Sequence, residues 1–92
     1  MFIVYVLQSQ KDQSFYVGYT QDIKQRLIQH NAGQNKSTKS KIPWTLVYCE
    51  CFRSKTDALI RERKLKNHGK GIVELKKRIE NSLLTNPLEA KR

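Results

Sequence analysis

Residues 16–30 read YVGYTQDIKQRLIQH. The stretch begins as a strand and ends as a helix. Phe15, Tyr16, Val17 and Tyr19 are aromatic or β-branched, the types that suit a pleated surface. Gly18 interrupts them, and a glycine inside a strand marks a bulge or a place where another part of the chain comes close. Thr20 is the expected N-cap of the helix, with Asp22 in the first turn, where the helix dipole favours negative charge. The helix is expected to run to about Asn31, with Gly33 as its stop. Ile23 and Leu27 lie one turn apart and form its apolar stripe. Arg26 and His30 are also one turn apart and border that stripe. A guanidinium and an imidazole are therefore expected to point together toward the preceding strand. The plainer alternative is a solvated face, since Lys24, Gln25 and Gln29 are surface residues.

Upstream, residues 2–8 (FIVYVLQ) form a nearly continuous apolar run, which predicts a strand covered on both faces. Ile3, Tyr5 and Leu7 share one face; Phe2, Val4 and Val6 take the other. MFIVYVLQSQ is too short for a signal peptide and has no basic leader. The polar residues 9–14 predict a turn and hence an antiparallel hairpin. An even-numbered loop centred on Gln10 and Lys11 would set Tyr5 opposite Tyr16, whereas a one-residue slip would separate them onto opposite faces.

Downstream, residues 31–43 (NAGQNKSTKSKIP) read as a loop and residues 44–52 (WTLVYCECF) as a third strand. There Trp44, Leu46, Tyr48, Glu50 and Phe52 alternate with Thr45, Val47, Cys49 and Cys51. Ser54 opens a second helix over about 55–67, with Asp57 completing a weak capping box. Gly69 and Gly71 then break the chain. A third helix over about 71–83 aligns Ile72, Leu75, Ile79 and Leu83. Residues 1–84 are expected to form a single domain, with 85–92 a flexible C-terminal tail.

The formal net charge is +10, with 18 lysines and arginines against 8 acids. The basic residues cluster at 24–26, 36–41 and 61–70. Such an excess favours a polyanionic partner, most simply nucleic acid. No apolar run approaches ~18 residues, so no membrane span is expected, and no helix pairs a basic face with a broad aromatic one. Cys49 and Cys51 are too local to staple the fold and have no other cysteine to pair with. A reducing cytoplasm is the expected setting, without a disulfide-linked partner. Zinc would need further ligands, and only His30 and His68 are present, without metal-site spacing.

One carboxylate stands out. Ala58 and Leu65 define the apolar face of the second helix, with Leu59 beside them, and helical geometry puts Glu62 inside that stripe. An uncompensated buried carboxylate costs several kcal/mol (~3 or more), so a partner is required. Arg26 or a nearby lysine is one candidate. A hard divalent cation is the other, because Mg²⁺ commonly takes one or two carboxylates and completes its shell with water and phosphate. Two tyrosines, an arginine, a histidine and such a carboxylate suit phosphodiester hydrolysis.

Ile3-Val4-Tyr5 followed by Tyr16-Val17-Gly18 resembles the paired motif of the GIY-YIG nuclease superfamily. The phrases YVGYT, RLIQHNAG, PWTLVY and the RE of RERKLK resemble its small standalone bacterial members, which are similar to the N-terminal nuclease domain of UvrC. The likeness covers roughly residues 2–80. It implies an α+β fold, a three-stranded antiparallel sheet flanked by about three helices. It also implies a metal-dependent endonuclease acting on DNA or another nucleic acid, with Mg²⁺ as cofactor and Mn²⁺ as the alternative, in repair or recombination. By the same likeness Tyr5 is the general base or orients the attacking water, and Tyr16 places water or phosphate. Arg26 stabilises charge on the phosphate, His30 assists proton transfer or contacts phosphate, and Glu62 holds the metal. A tyrosine is a poor base unless positive charge lowers its pKa, a role expected of Arg26 and the metal. The motif's opening glycine is Ile3 here. Several family nucleases carry an asparagine after the glutamate, a place that neither Asn67 nor Asn81 fills. Phosphate contacts would come from Lys24, Lys36, Lys39, Lys41, Lys64, Lys66 and Lys70. A catalytically weak nucleic-acid-binding accessory protein is the alternative function.

Overall fold

The computed structural model describes residues 1–66 and 69–84. Three strands, β1 (Phe2–Ser9), β2 (Phe15–Thr20) and β3 (Trp44–Phe52), form one antiparallel sheet in the order β2-β1-β3. The helices are α1 (Ile23–Asn31), α2 (Lys55–Lys66) and α3 (Lys70–Arg78). The α+β architecture is the one expected. The predicted tail, 85–92, lies outside the described residues.

The nearly continuous apolar run of β1 is explained by its central place, with cover on both faces. On one face Val4 and Val6 pack with Val17, Ala58, Leu65 and Leu75, so α2 and α3 close that side. On the other, Tyr5 and Leu7 pack with Trp44, flanked by Ile23 and Leu27 of α1. Fully burying each such aliphatic side chain contributes about 1.5–3 kcal/mol. Gln8, also buried, ties in the far end of the described chain: its side-chain Oε1 accepts from the Leu84 N–H at 2.7 Å.

Five expectations are corrected. Tyr5 pairs with Gly18, and Tyr16 pairs with Leu7, so the hairpin register is two residues away from the one that sets the tyrosines opposite. The reason is the turn: β1 continues to Ser9, whose hydroxyl accepts from the Lys11 and Asp12 N–H groups and carries the loop further along. An even shift keeps both tyrosines on one face. The cap of α1 is Asp22, not Thr20; Asp22 is extended and accepts from the Gln25 N–H at 3.0 Å. Thr20 ends β2 and accepts from the Asp22 N–H instead.

The strict alternation of β3 is also broken. The register shifts between Val6 and Leu7, which pair with Tyr48 and Leu46 and leave Val47 as the extra residue. Trp44 and Leu46 therefore join the Tyr5 face, while Val47, Tyr48 and Phe52 join the Val4 face. Finally, α3 ends at Arg78 and a 3₁₀ turn follows at Glu80–Ser82. Asn81 and Ser82 are residues that compete for local backbone bonds and weaken a helix. Gly71 does not break the chain but lies within α3; Gly69 is the N-cap, with φ 69°.

Candidate functional site

Gly18 seats the Tyr5 ring. A Cβ at Gly18 would stand 2.4 Å from both Tyr5 Cζ and its hydroxyl oxygen, so only glycine lets the ring lie flat across β2. That close approach directs the hydroxyl to His30, 2.9 Å away at Nε2. Both residues are buried. Tyr16 stands edge-on to His30, ring centroids 4.9 Å apart, and 6.3 Å from Tyr5. Thr38 closes the far side, its hydroxyl oxygen 2.8 Å from His30 Nδ1. The solvated-face alternative therefore fails for His30, which is fully buried, and holds for Lys24 and Gln25. Gln29 is half-buried.

The helix delivers His30 because Ile23 and Leu27 anchor α1 against Leu7 and Trp44. Gly33, at φ 76°, turns the chain back immediately afterwards. Asn31 then holds β3 in place: its amide donates to the Trp44 carbonyl at 3.0 Å, and its Oδ1 accepts from the Trp44 N–H at 2.6 Å.

At Tyr5, burial outweighs the neighbouring positive charge. The Tyr5 hydroxyl is pushed well above its ordinary value, first by burial and then by Tyr16, and Arg26 only partly opposes this. Glu62 adds to the upward push. His30 is held below its ordinary value, by burial and by the Arg26 charge. Tyr5 is thus a neutral phenol against a neutral imidazole. The field of Arg26 reaches both groups, and that of Glu62 reaches Tyr5.

Arg26 is half-buried and, among the described residues, has no carboxylate partner. It lines a groove of about 430 Å³ with Gln29, Gln34, Asn35 and Lys36. Glu62 projects between Ala58 and Leu65 as the helix pattern requires, but it pairs with Lys66 at 3.0 Å rather than with Arg26. Its side chain retains 19% of its accessibility. Lys66 and Tyr16 line a second cavity, where β2 meets the end of α2 and the start of α3. Lys64 and Lys70 line a third with Arg61 and Arg78. Lys41 is tied to Asp12 at 3.4 Å, whereas Lys24 and Lys39 are exposed. Of the asparagines considered, Asn81 sits in the 3₁₀ turn, and Asn67, like His68, lies outside the described residues.

Two groups escape the sequence patterns. Thr38 is buried yet stands in a polar loop beside the chemically similar, exposed Ser37. Glu50 accepts from Arg61 Nε and Nη2 and from the Tyr48 hydroxyl, a cluster on the Val4 side. Against burial, which raises it, those donors hold the Glu50 carboxyl low. No group of three or more His, Cys, Asp or Glu side chains capable of holding a metal occurs among the described residues. No helix among them is long and apolar enough to cross a membrane.

Residues 1–80 match the model of the GIY-YIG catalytic domain. A UPF0213 protein of Staphylococcus saprophyticus is 47% identical over 64 residues, 68% of this chain and 77% of the relative. One from Haloquadratum walsbyi is 41% identical over 66 residues, 71% of this chain and 73% of the relative. The solution NMR structure of a UPF0213 protein from Bacillus halodurans is 34% identical, with a TM-score of 0.51, covering 82% of this chain and 81% of that one. Motif, sheet and relatives agree, and the chain belongs to the GIY-YIG family, a nuclease superfamily.

Proposed function

We propose that this protein is a divalent-metal-dependent endonuclease that hydrolyses phosphodiester bonds in DNA, in a cytoplasmic repair or recombination setting. The observation that carries the reading is the Tyr5 hydroxyl within hydrogen-bond distance of His30 Nε2, beside Tyr16 and within the fields of Arg26 and Glu62. In this scheme water adds to phosphorus and one P–O ester bond breaks, its leaving oxygen taking up a proton from solvent. The water's proton passes to the Tyr5 oxygen as Tyr5 gives its own to His30. A base near neutrality is the more effective proton acceptor, and a neutral imidazole meets that need where an isolated phenol does not. Tyr16 places the water or phosphate, and Arg26 offsets charge on the phosphate oxygens. The basic groove beside Arg26 accepts the adjoining backbone.

The donor set fits the metal. Glu62 offers a hard oxygen at a partly open position, and one carboxylate suffices for Mg²⁺ or Mn²⁺ when water and phosphate fill the remaining shell. Such a cation would stabilise the leaving oxygen and neutralise the carboxylate that raises Tyr5. Lys66 must first yield Glu62. A surface i,i+4 pair of this kind is worth about 0.3–0.5 kcal/mol, so it presents a small barrier to binding.

The test is a panel of labelled duplex, flap, branched and single-stranded substrates, with and without Mg²⁺. Glu62→Ala is expected to abolish nicking and leave binding largely intact. Equal nicking by wild type and variant rejects the assignment. The Lys66–Glu62 pair and the raised Tyr5 favour a second reading, a nucleic-acid-binding accessory protein with weak turnover. That reading requires salt-sensitive binding without nicking in either metal.

A further inference from the structure

Thr38 is fully buried and its side chain is accounted for on every side. Its hydroxyl donates to the Asn35 carbonyl at 3.4 Å, and its oxygen stands 2.8 Å from His30 Nδ1. Its backbone carbonyl accepts from Trp44 Nε1 at 2.9 Å. The loop that carries it is fastened at further points. Ser9 Oγ donates to the Lys41 carbonyl at 2.7 Å, and Lys11 Nζ donates to the Ser40 carbonyl at 3.1 Å. Asn31 clamps Trp44 from the other end. A threonine in a lysine- and serine-rich loop is thereby as buried as a core residue and bonded through both its hydroxyl and its carbonyl.

The network also fixes the protons. The Tyr5 hydroxyl has His30 Nε2 as its partner among the described residues. If Nε2 carried a hydrogen, the phenolic proton would be left without an acceptor in a buried site, which is costly. With the hydrogen on Nδ1, each proton has an acceptor: Nδ1–H on Thr38, the Thr38 hydroxyl on Asn35, the Tyr5 hydroxyl on Nε2. The identity of the second partner determines which ring nitrogen is free.

We infer that Thr38 is a positioning residue for phosphodiester cleavage, holding His30 in the Nδ1–H tautomer so that Nε2 stays open to the Tyr5 proton. Its effect on turnover rests on the nuclease reading; its effect on the tautomer does not. An acceptor on the rear nitrogen orients the ring and raises the basicity of the front one, as carboxylates and carbonyls do behind other functional histidines.

The test uses the full chain, with imidazole tautomers read from two-bond proton–nitrogen correlation spectra, above the ordinary histidine pKa of about 6.5. Wild type is expected to show His30 protonated at Nδ1. Thr38→Val keeps the shape and β-branching but removes the acceptor, so the spectrum is expected to move toward Nε2–H. Nicking should fall roughly 10- to 100-fold, the usual cost of losing a ring-orienting partner, with binding to uncut substrate unchanged. Thr38→Ser restores the oxygen and should restore both readouts. A wild-type Nε2–H tautomer overturns the inference. So does Thr38→Val with the wild-type tautomer, or with full nicking. If Thr38→Val does not fold, the wild-type and Thr38→Ser spectra decide the assignment. If the wild type cuts no substrate, the nuclease reading fails while the spectra still judge Thr38.

Discussion

At Gly18 a single hydrogen atom stands where any other residue would place carbon inside the Tyr5 ring. The contacts, 2.4 Å to Cζ and to the hydroxyl oxygen and 2.8 Å to Cε1, lie far inside van der Waals distance. Tyr5 has little room to yield, since it is 1% exposed and its hydroxyl is held by His30. Gly18→Ala should therefore destabilise by about 1–3 kcal/mol, the range for overpacking, although alanine is otherwise the better strand residue. It should also lengthen the Tyr5–His30 hydrogen bond. Thermal melts and the His30 ring-nitrogen shifts check both effects, and an unchanged melt with unchanged shifts would contradict the packing account. Much of this site was legible in the sequence. Tyr5 and Tyr16 share a face under any even register, so an error of two residues left the placement intact. The i,i+4 spacing set Arg26 beside His30, and the same spacing placed Lys66 within reach of Glu62. Thr38 was not legible, because its contact with His30 depends on how the intervening loop folds back. The burial of Tyr5 was not legible for a related reason: residue spacing reveals neighbouring charges such as Arg26 but not the loss of water around the ring.

Helices α2 and α3 meet at Gly71, where an added Cβ would lie 2.5 Å from the Lys64 carbonyl oxygen and 3.1 Å from Leu65 Cα. Both are backbone atoms and cannot rotate aside. Two effects of Gly71→Ala oppose each other. Helix propensity favours alanine by about 1 kcal/mol, whereas overpacking costs about 1–3 kcal/mol and here falls on backbone. The steric term should win, giving a net loss of stability and a displaced α3. Denaturant titration measures the sign; a stabilised variant would show that the helices can separate without loss. Leu65 and Leu75, both buried here, link this contact to the Val4 face of the sheet. Strand and helix existence followed from apolar periodicity, and the Ile72, Leu75 and Ile79 stripe indeed faces that core. The bulge at Val47 did not follow, because WTLVYCECF alternates cleanly enough to conceal it. Only the need to place Trp44 and Leu46 with Tyr5, and Tyr48 and Phe52 with Val4, reveals that one residue is inserted.

Across the whole molecule a net charge of +10 is divided between cations neutralised by neighbours and cations left available. Lys41, Arg61, Lys66 and Lys77 each face a carboxylate, while Lys24, Lys36, Lys39, Lys64 and Lys70 have none among the described residues. A lysine already paired releases fewer counterions when it meets a phosphate, so the two sets should differ in how binding depends on salt. For duplex DNA the slope of log K against log salt is about −0.9 for each phosphate neutralised. Lys36 lines the groove beside Arg26, and Lys39 stands exposed three residues further along the same loop. The double variant Lys36→Gln, Lys39→Gln should flatten the slope by nearly 2, if each lysine meets one phosphate. Lys41→Gln should change the slope much less, because it removes a charge that Asp12 already offsets. Fluorescence anisotropy with a labelled duplex, over a salt series and without divalent metal, separates these outcomes. A larger loss of slope from Lys41→Gln than from the double variant would mean that the backbone runs across the hairpin turn, away from Arg26, and would move the proposed track off the Tyr5–His30 site.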